Sequence, residues 1–259
     1  MNHEIYAALS GALANDRRQE ITANNLANIN SGGFRRDVPL FKTVYDQVSG
    51  SNRPLTGSKD IIEHNAFVIH DGSWIDFQTG AMQDTGNPLD VALDGEGFFA
   101  LKRATDGEIY YSRDGHFRIN TDQELVAING DQVLAAGDTD APLGLTGENP
   151  GPAQNIKIGK LGDVLVDGQP VGALRLVTFA NLQGLQKSGD SGFLETPASG
   201  PPEVADQVIV SQGVRELANV NVLEEMVSLI EIARQYQAQQ KVITGIDELN
   251  KQAAKGIVA

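Results

Sequence analysis

The sequence predicts a mainly β fold with terminal α-helices. An antiparallel β-rich middle domain is inserted between N- and C-terminal amphipathic helices, which form a coiled-coil-like stalk. Two observations predict this class. Apolar residues recur at steps of three and four near both ends, and short apolar runs separated by Asp-Gly and Asn-Gly pairs fill the middle. We place an N-terminal helix at 1–30, a connector with an extended hairpin at 31–75, the β domain at 76–206 and the C-terminal helix at 207–259.

The C-terminal segment carries the longest helical pattern. No Gly or Pro interrupts residues 214–244, and Asn221 stands as an N-cap with Glu224 at capping-box spacing. We expect a helix from Asn221 to about Gln252, which is longer than most globular helices and indicates an assembly. Its apolar stripe comprises Val222, Leu223, Met226, Val227, Leu229, Ile230, Ala233, Tyr236 and Ile243.

The first thirty residues predict a second amphipathic helix, from about His3 to Asn28. A polar break covers residues 15–20, and the Asn-Ser-Gly-Gly run at 30–33 ends the pattern. Its apolar positions are Ile5, Leu9, Leu13, Ile21, Leu26 and Ile29. Two interpretations are open at this point. The stripes form either a hairpin packed within one subunit or a seam between subunits, and the helix length favours the seam.

The middle of the chain reads as short strands with turns between them. Asp71-Gly72 is a hairpin signal between runs at 67–69 and 74–77. Residues 141–153 and 188–202 read as surface loops. Further strands are expected at 89–93, 98–102, 109–112, 117–120, 125–128, 156–158, 164–166 and 174–179.

Composition restricts the partners. The 34 acidic residues exceed the 20 basic ones, and the net charge of −14 disfavours nucleic acid. The absence of cysteine excludes disulfides and thiolate metal sites. The N-terminus lacks a secretory signal pattern and no long apolar run predicts membrane insertion, so work outside the cytoplasm needs an export route without a cleaved leader.

The sequence shows no catalytic, cofactor-binding or metal-binding constellation. Residues 95–100 match GxGxxA, but a strand rather than a helix is expected to follow, which favours a tight turn over a nucleotide site. His64 and His70 lie about 20 Å apart on one strand, too far to share a metal. The pairs Asp90 with Asp94 and Asp138 with Asp140 suit at most a weak Ca²⁺ site, and solvated acidic turns are the better interpretation.

Four blocks of sequence resemble the signatures of flagellar rod and hook proteins, in the family's order. The first is Asn24-Asn25-Leu26-Ala27-Asn28 followed by Gly33-Phe34-Arg35. The second runs from Thr85 to Phe99, and the third from Tyr111 to Phe117. The last joins Asn219-Val220-Asn221 to Glu224-Glu225-Met226-Val227 and Arg234-Gln235-Tyr236. The chain is identified as a member of the flagellar basal-body rod protein family and is most similar to its proximal-rod FlgF type.

The resemblance implies a structural subunit of the bacterial flagellar basal-body rod, with no enzyme activity and no cofactor. Its implied partners are other rod and axial subunits and the flagellar type III export apparatus, and its place is the periplasm-spanning rod. A distal-rod or hook-type subunit is the first alternative, and a β-rich surface adhesin or a cell-wall hydrolase is a weaker one. The predicted assembly interface comprises Ile5, Leu9, Leu13, Asn24, Asn25, Leu26, Ala27, Asn28, Phe34, Val222, Leu223, Met226, Leu229, Ile230, Ala233, Tyr236 and Ile243.

Overall fold

The structure is a computed structural model that describes residues 2–46, 65–137, 139–145, 155–189, 191–205 and 207–257. The chain divides into two compact units. The first, called the helical unit here, consists of Met1–Leu26, Asp37–Trp74 and Asn221–Ala259. The second, called the β unit, consists of Ala27–Arg36 and Ile75–Val220. Each unit is therefore built from segments that are distant in sequence.

The helical unit contains two helices and a two-stranded ribbon. Helix α1 spans Asn2–Ala27 and helix α2 spans Val222–Ile257. Strand β1 (Asp37–Asp46) pairs with strand β2 (Asn65–Ile75). The ribbon touches α1, where the Val68 amide donates to the Ser10 hydroxyl at 3.4 Å. Terminal helices are thus confirmed, and the bounds of α1 and the start of α2 lie within one residue of the helices expected at about 3–28 and from Asn221.

Three contacts show that α1 and α2 run antiparallel to each other. Asn25 contacts Glu225, Arg18 donates to Gln235 at 3.3 Å, and Gly11 lies against the Gln239 amide. As the residue number falls from 25 to 11 along α1, the residue number of its contact rises from 225 to 239 along α2, which is the pattern of antiparallel helices. The coiled-coil-like supercoil of this pair stays a prediction.

The predicted hairpin at Asp71-Gly72 is wrong. Strand β2 runs through this pair without reversing, and its partner is β1, which lies some thirty residues earlier in the chain. Gly72 does adopt a positive φ of 116°. An Asp-Gly pair permits such a φ but does not force the chain to reverse, so the local signal misled because the real partner is remote in sequence.

The β unit is built from short strands, as predicted for the middle of the chain, and the antiparallel β class is confirmed. A 3-10 helix spans Leu182–Gly184. The strands are β3 (Met82–Asp84), β4 (Val91–Asp94), β5 (Phe98–Lys102), β6 (Ile109–Ser112), β7 (Phe117–Ile119), β8 (Leu125–Ala127), β9 (Gln132–Val133), β10 (Ile156–Ile158), β11 (Asp163–Val166), β12 (Gln169–Ala173), β13 (Leu176–Thr178), β14 (Gln186–Ser188), β15 (Gly192–Leu194), β16 (Glu203–Val204), β17 (Ile209–Gln212) and β18 (Val214–Glu216).

One large sheet organises the β unit. Its strand order is β14-β15-β6-β5-β9-β8-β7, with β13 pairing both β5 and β16. A three-stranded sheet, β10-β11-β12, and the pairs β17–β4 and β18–β3 complete it. The registers between these strands are antiparallel, for example Phe99 opposite Ser112. Because β17 and β18 occupy residues 209–216, the C-terminal helix begins only after them.

The core of the β unit explains one confirmed expectation and two departures from the sequence predictions. The apolar residues of β4 and β5 are fully buried, and β5 begins at Phe98, inside the GxGxxA match at 95–100, so a strand rather than a helix follows that turn, as predicted. Leu143 and Leu145 are buried core residues, so the described start of the predicted 141–153 surface loop lies inside. The predicted 188–202 loop contains β15, which pairs with β6. In both loops the apolar residues that enter the core outweigh the local Gly and Pro signals.

Candidate assembly surface

The predicted apolar stripe of α2 lies on the protein surface. Leu223 is 73% exposed and Met226 50% exposed, which is unusual for large apolar side chains. Leu229 is half-buried. The other exposed members of the predicted stripe are Val222, Val227, Ile230, Ala233, Tyr236 and Ile243. A long uncovered apolar stripe marks a surface that another protein can cover.

The side of α2 that faces α1 carries different residues. Glu225 and Ile232 are buried and Gln239 is half-buried, at intervals of seven residues. At about 100° per residue, Leu223, Val227 and Ile230 lie roughly opposite this line. The helix pair therefore closes on a partly polar face of α2 and leaves the more apolar face uncovered.

Helix α1 follows the same division. Leu9 and Leu13 of the predicted interface are exposed, whereas Ala14, Thr22 and Asn25 are buried. The buried residues are small or polar, which allows a close approach of the two helices. Ile5 lies in α1, and its side chain is outside the described ones.

The residues of the first signature block divide between surface and interior. Asn24 and Ala27 are exposed, Leu26 is half-buried, and Asn28 is buried in the β unit. Phe34 is only 1% exposed, and the Lys187 ammonium lies 4.5 Å from the centre of its ring. Asn25, Asn28 and Phe34 are thus buried within their own units in the isolated chain, and their place in an assembly interface stays a prediction.

Sequence reasoning missed part of the exposed apolar surface. Val242 extends the stripe of α2, and the ribbon exposes Leu40 and Val44 on β1 and Ile69 and Trp74 on β2. The alternation of Leu40 and Val44 along one face of β1 was the available signal. This spacing does not distinguish a strand from the connector that the sequence analysis predicts for this segment.

The start of α2 is fixed by the predicted cap. Asn221 Oδ1 accepts a hydrogen bond from the Leu223 amide at 3.1 Å, and its Nδ2 donates to Glu224 Oε1 at 3.1 Å. The Glu225 amide also donates to the Asn221 carbonyl at 3.0 Å. The bond from the Leu223 amide satisfies a donor that the first helical turn leaves without an intrahelical partner, and the bond from the Glu225 amide is the first i→i−4 bond of the helix. The stripe therefore begins at a defined residue, Val222.

Other signature residues meet in a buried ion cluster of the β unit. Glu216 lies 2.7 Å from Arg35 and 3.4 Å from Arg113, and all three side chains are almost fully buried. Arg113 also donates to the carbonyls of Leu93 and Gly95. Burial lowers the pKa of Arg113 to about 10. Arg35 comes from the first signature block and Arg113 from the third. These two blocks therefore each contribute a charged side chain to the interior of the β unit.

Backbone contacts bring the same segments close together. Gly33 adopts a φ of 63°, and a Cβ there would lie 2.6 Å from the Arg113 Cβ. Asn219 Oδ1 accepts from the Arg36 amide at 2.7 Å, and its Nδ2 donates to the Asp76 carbonyl at 2.7 Å. Only glycine fits at position 33, because a side chain there would meet the Arg113 backbone and Cβ. The side-chain amide of Asn219 links the segments that contain Arg36 and Asp76.

The second signature block forms a loop around Asp90. Its carboxylate accepts hydrogen bonds from Thr85 at 2.6 Å and from Asn87 at 3.1 Å, and His116 Nδ1 lies 3.3 Å away. The protein's own groups therefore surround this carboxylate, which the sequence analysis had paired with Asp94 as a weak Ca²⁺ site. Asp138 and His64 lie outside the described residues. Within the described ranges, no group of three or more His, Asp or Glu is placed to hold a metal.

Comparison with known proteins supports the family suggested by these blocks. Three family models match: "Flagella basal body rod protein" over residues 5–35, "Flagellar hook protein FlgE/F/G D1 domain" over 92–166, and "Flagellar basal body rod FlgEFG protein C-terminal" over 211–255. The three matches cover parts of both units.

Curated relatives match along almost their whole length. The flagellar basal-body rod protein FlgG of Agrobacterium fabrum is 32% identical over 96% of this chain and 97% of its own. The FlgF protein of Mesorhizobium japonicum is 34% identical, covering 92% and 90%. The FlgF protein of Caulobacter vibrioides is 32% identical over 98% of both chains.

A folded β unit, together with a helix pair whose apolar stripe is uncovered, defines a structural subunit of a larger assembly. At these identities and coverages, the chain belongs to the flagellar basal-body rod protein family. FlgF-type proteins are among its most similar relatives. None of the helices in the described residues combines the length and apolar character that a membrane crossing requires.

Proposed function

We propose that this chain, a structural member of the rod family rather than an enzyme, joins the flagellar rod through its helical unit. The apolar stripe of α2 and the exposed apolar residues of α1 pack against neighbouring rod and axial subunits. The interface comprises the exposed residues of the predicted set, and Asn25, Asn28 and Phe34 support it from inside their own units. Head-to-tail contacts of this kind generate an open helical filament.

The observation that carries the proposal is the exposure of the α2 stripe. Apolar surface gains about 25 cal/mol for each Å² removed from water, so side chains such as Leu223 and Met226 favour association. The β unit already buries its own apolar residues in a core and has less to gain from a neighbour. The helical unit is therefore the better candidate for the polymer contact.

We propose further that the chain reaches the periplasm-spanning rod through the flagellar type III export apparatus, without a cleaved signal peptide. Family membership supports this route, because the relatives are basal-body proteins. Within the rod, we propose the FlgF-type proximal position, which the near-complete coverage of the Caulobacter FlgF protein supports. A distal-rod position is the alternative, because FlgG proteins match at similar identity. Complementation of strains that lack either FlgF or FlgG distinguishes the two positions.

The proposal is tested by placing a charge in the stripe. Met226→Asp should abolish incorporation into rods and swimming, because a buried unpaired carboxylate opposes the subunit contact. The purified variant should unfold within about 0.5 kcal/mol of the parent, since Met226 is exposed in the isolated chain. Motility in soft agar and immunoblots of purified basal bodies measure the first result, and urea unfolding measures the second.

Leu161→Asp is the matched control. Leu161 is 78% exposed but belongs to the β unit, so the same change should leave incorporation intact. Normal swimming of the Met226→Asp strain would exclude the α2 stripe from the subunit contact. Equal loss with Leu161→Asp would show that the helical unit has no special role.

A further inference from the structure

The buried side chain of Asn25 makes three hydrogen bonds inside the helical unit. Its Oδ1 accepts from the Asp37 amide at 3.0 Å, and its Nδ2 donates to the Asp37 carbonyl at 2.9 Å. The same Nδ2 donates to Glu225 Oε1 at 3.4 Å. One amide therefore connects α1, the first residue of β1 and the first turn of α2.

Glu225 lies on the face of α2 that turns towards α1. Leu223, Val227 and Ile230 lie roughly half a turn away from Glu225, at about 100° per residue. For the chain alone, rolling α2 by that amount would bury these residues against α1 and gain hydrophobic free energy. The observed orientation instead keeps these three residues in solvent and fully buries one apolar residue of α2, Ile232, in their place, so a further interaction is needed to favour it.

A buried hydrogen bond to a charged group can provide this preference. Rolling α2 away would leave the Glu225 carboxylate without the Asn25 donor and would deprive the amide of one partner. Single buried polar residues can select one packing arrangement between helices at the expense of stability. Among the other described residues on this side of the two helices, Ile232 is apolar and fully buried, whereas Gly11, Ala14, Thr22 and Gln239 are small or polar. Apolar packing on this side therefore comes mainly from Ile232 and is weak against the gain offered by three stripe residues.

We propose that Asn25 and Glu225 are orientation-determining residues, which hold α2 with its apolar stripe outward and so keep the stripe available for assembly. This inference rests on the proposed function for its consequence. The orientation itself is a property of the isolated chain. The two ideas can therefore fail separately.

The test uses thiol reactivity, because the chain has no cysteine of its own. Val227→Cys places a single thiol on the exposed stripe, and its labelling rate with a maleimide is measured on dilute monomer. In the Asn25→Leu/Glu225→Leu background, we expect the rate to fall at least tenfold while the far-UV circular dichroism signal of the helices is kept. Incorporation into rods should be lost, because the stripe is then turned inward.

Paired polar replacements identify the hydrogen bond as the cause. Asn25→Asp places two carboxylates opposite each other and should disturb labelling and assembly. Adding Glu225→Gln restores one donor and one acceptor and should recover both, at least in part. Gln19→Ala, a change at an exposed residue of α1 outside the predicted interface, is the control and should leave the labelling rate of the Val227→Cys thiol unchanged.

Two results would overturn the proposal. An unchanged labelling rate of the Val227→Cys thiol in the double leucine variant would show that Asn25 and Glu225 do not set the orientation. Loss of the helical signal in that variant would show that the pair only stabilises the fold. If the labelling falls as expected and rods still form, the orientation proposal stands and the assembly role of the stripe is wrong.

Discussion

The two units of this chain use their apolar residues in opposite ways. In the β unit most of the described large apolar side chains are buried, and they form two clusters, one containing Phe99 and the other Phe98. In the helical unit, Ala14 and Ile232 are the buried apolar side chains among those described, and most of the exposed large apolar residues of the described ranges lie there. The β unit thus covers its own apolar surface, whereas the helical unit leaves apolar surface uncovered, which is the basis of the proposed contact with neighbours.

The polar residues show the same contrast. In the β unit the buried Glu216 carboxylate pairs with two buried guanidinium groups, those of Arg35 and Arg113. In the helical unit the buried polar residues Asn25 and Glu225 lie between the helices. Buried polar groups therefore form a paired ion cluster in one unit, and in the other they contact each other between two helices, where we propose that they select the helix orientation.

The largest expected effect comes from breaking the ion cluster of the β unit. Glu216→Ala leaves two buried guanidinium groups without their carboxylate and should cost about 3–5 kcal/mol of unfolding free energy. Urea unfolding followed by tyrosine and tryptophan fluorescence measures it. Glu203→Ala, at an exposed position of β16, should cost less than about 0.5 kcal/mol. Similar losses of unfolding free energy in the two variants would show that the ion cluster does not stabilise the β unit.

The next effect tests the tight backbone approach in the β unit. Gly33→Ala meets both a positive φ and a Cβ position only 2.6 Å from the Arg113 Cβ, so a loss of about 2–5 kcal/mol is expected. Gly168→Ala also has a positive φ but meets nothing within 4 Å, and should cost only about 1–2 kcal/mol. Thermal unfolding of both variants gives the difference. An equal shift in their melting temperatures would mean that the close approach is relieved at little cost.

A smaller effect separates the two faces of α2. Ile232→Ala removes a side chain that is 1% exposed and should weaken the helix pair by about 2 kcal/mol. Ile230→Ala removes a 54% exposed side chain from the same helix and should leave the monomer unchanged but impair assembly. Hydrogen exchange of the α2 amides and rod incorporation measure the two outcomes. A larger loss of monomer stability in Ile230→Ala than in Ile232→Ala would contradict this assignment of the buried and exposed faces of α2.

The smallest effect concerns pH and Asp114. Burial raises the pKa of this carboxyl group above its usual value. The folded state then binds more protons than the unfolded state between the two pKa values, so stability falls as pH rises through this window. Asp114→Asn should gain more stability at neutral pH than in acid. Urea unfolding at several pH values checks this, and a gain that grows in acid would contradict it.

Elements with local sequence signals could be predicted, and elements that depend on remote partners could not. The terminal helices, the Asn221 cap and strand β5 could be predicted because their signals are local: spacing, a capping side chain and a short apolar run. Strand β2 was misread as a hairpin because its partner β1 is remote. The side chains of Leu143 and Leu145 enter the core from a stretch with loop-like composition, which no local pattern shows.

The exposed apolar side of α2 could be predicted from the sequence, whereas its contact with α1 could not. Hydrophobic periodicity identified Met226 and Ile230 but not the α1–α2 seam, because Gly11, Thr22 and Glu225 have no apolar signal. The resemblance placed Asn25 and Phe34 in the interface. Burial shows that both lie inside their units, since a signature residue can be required for folding as well as for contact.

The most direct test compares one thiol before and after assembly. The thiol introduced by Val227→Cys should react readily with a maleimide in the monomer and become strongly protected in isolated rods. The thiol of Leu161→Cys, on the β unit, should react in both states. Equal reactivity of the Val227→Cys thiol in monomer and rod would contradict the claim that neighbouring subunits cover the helical unit.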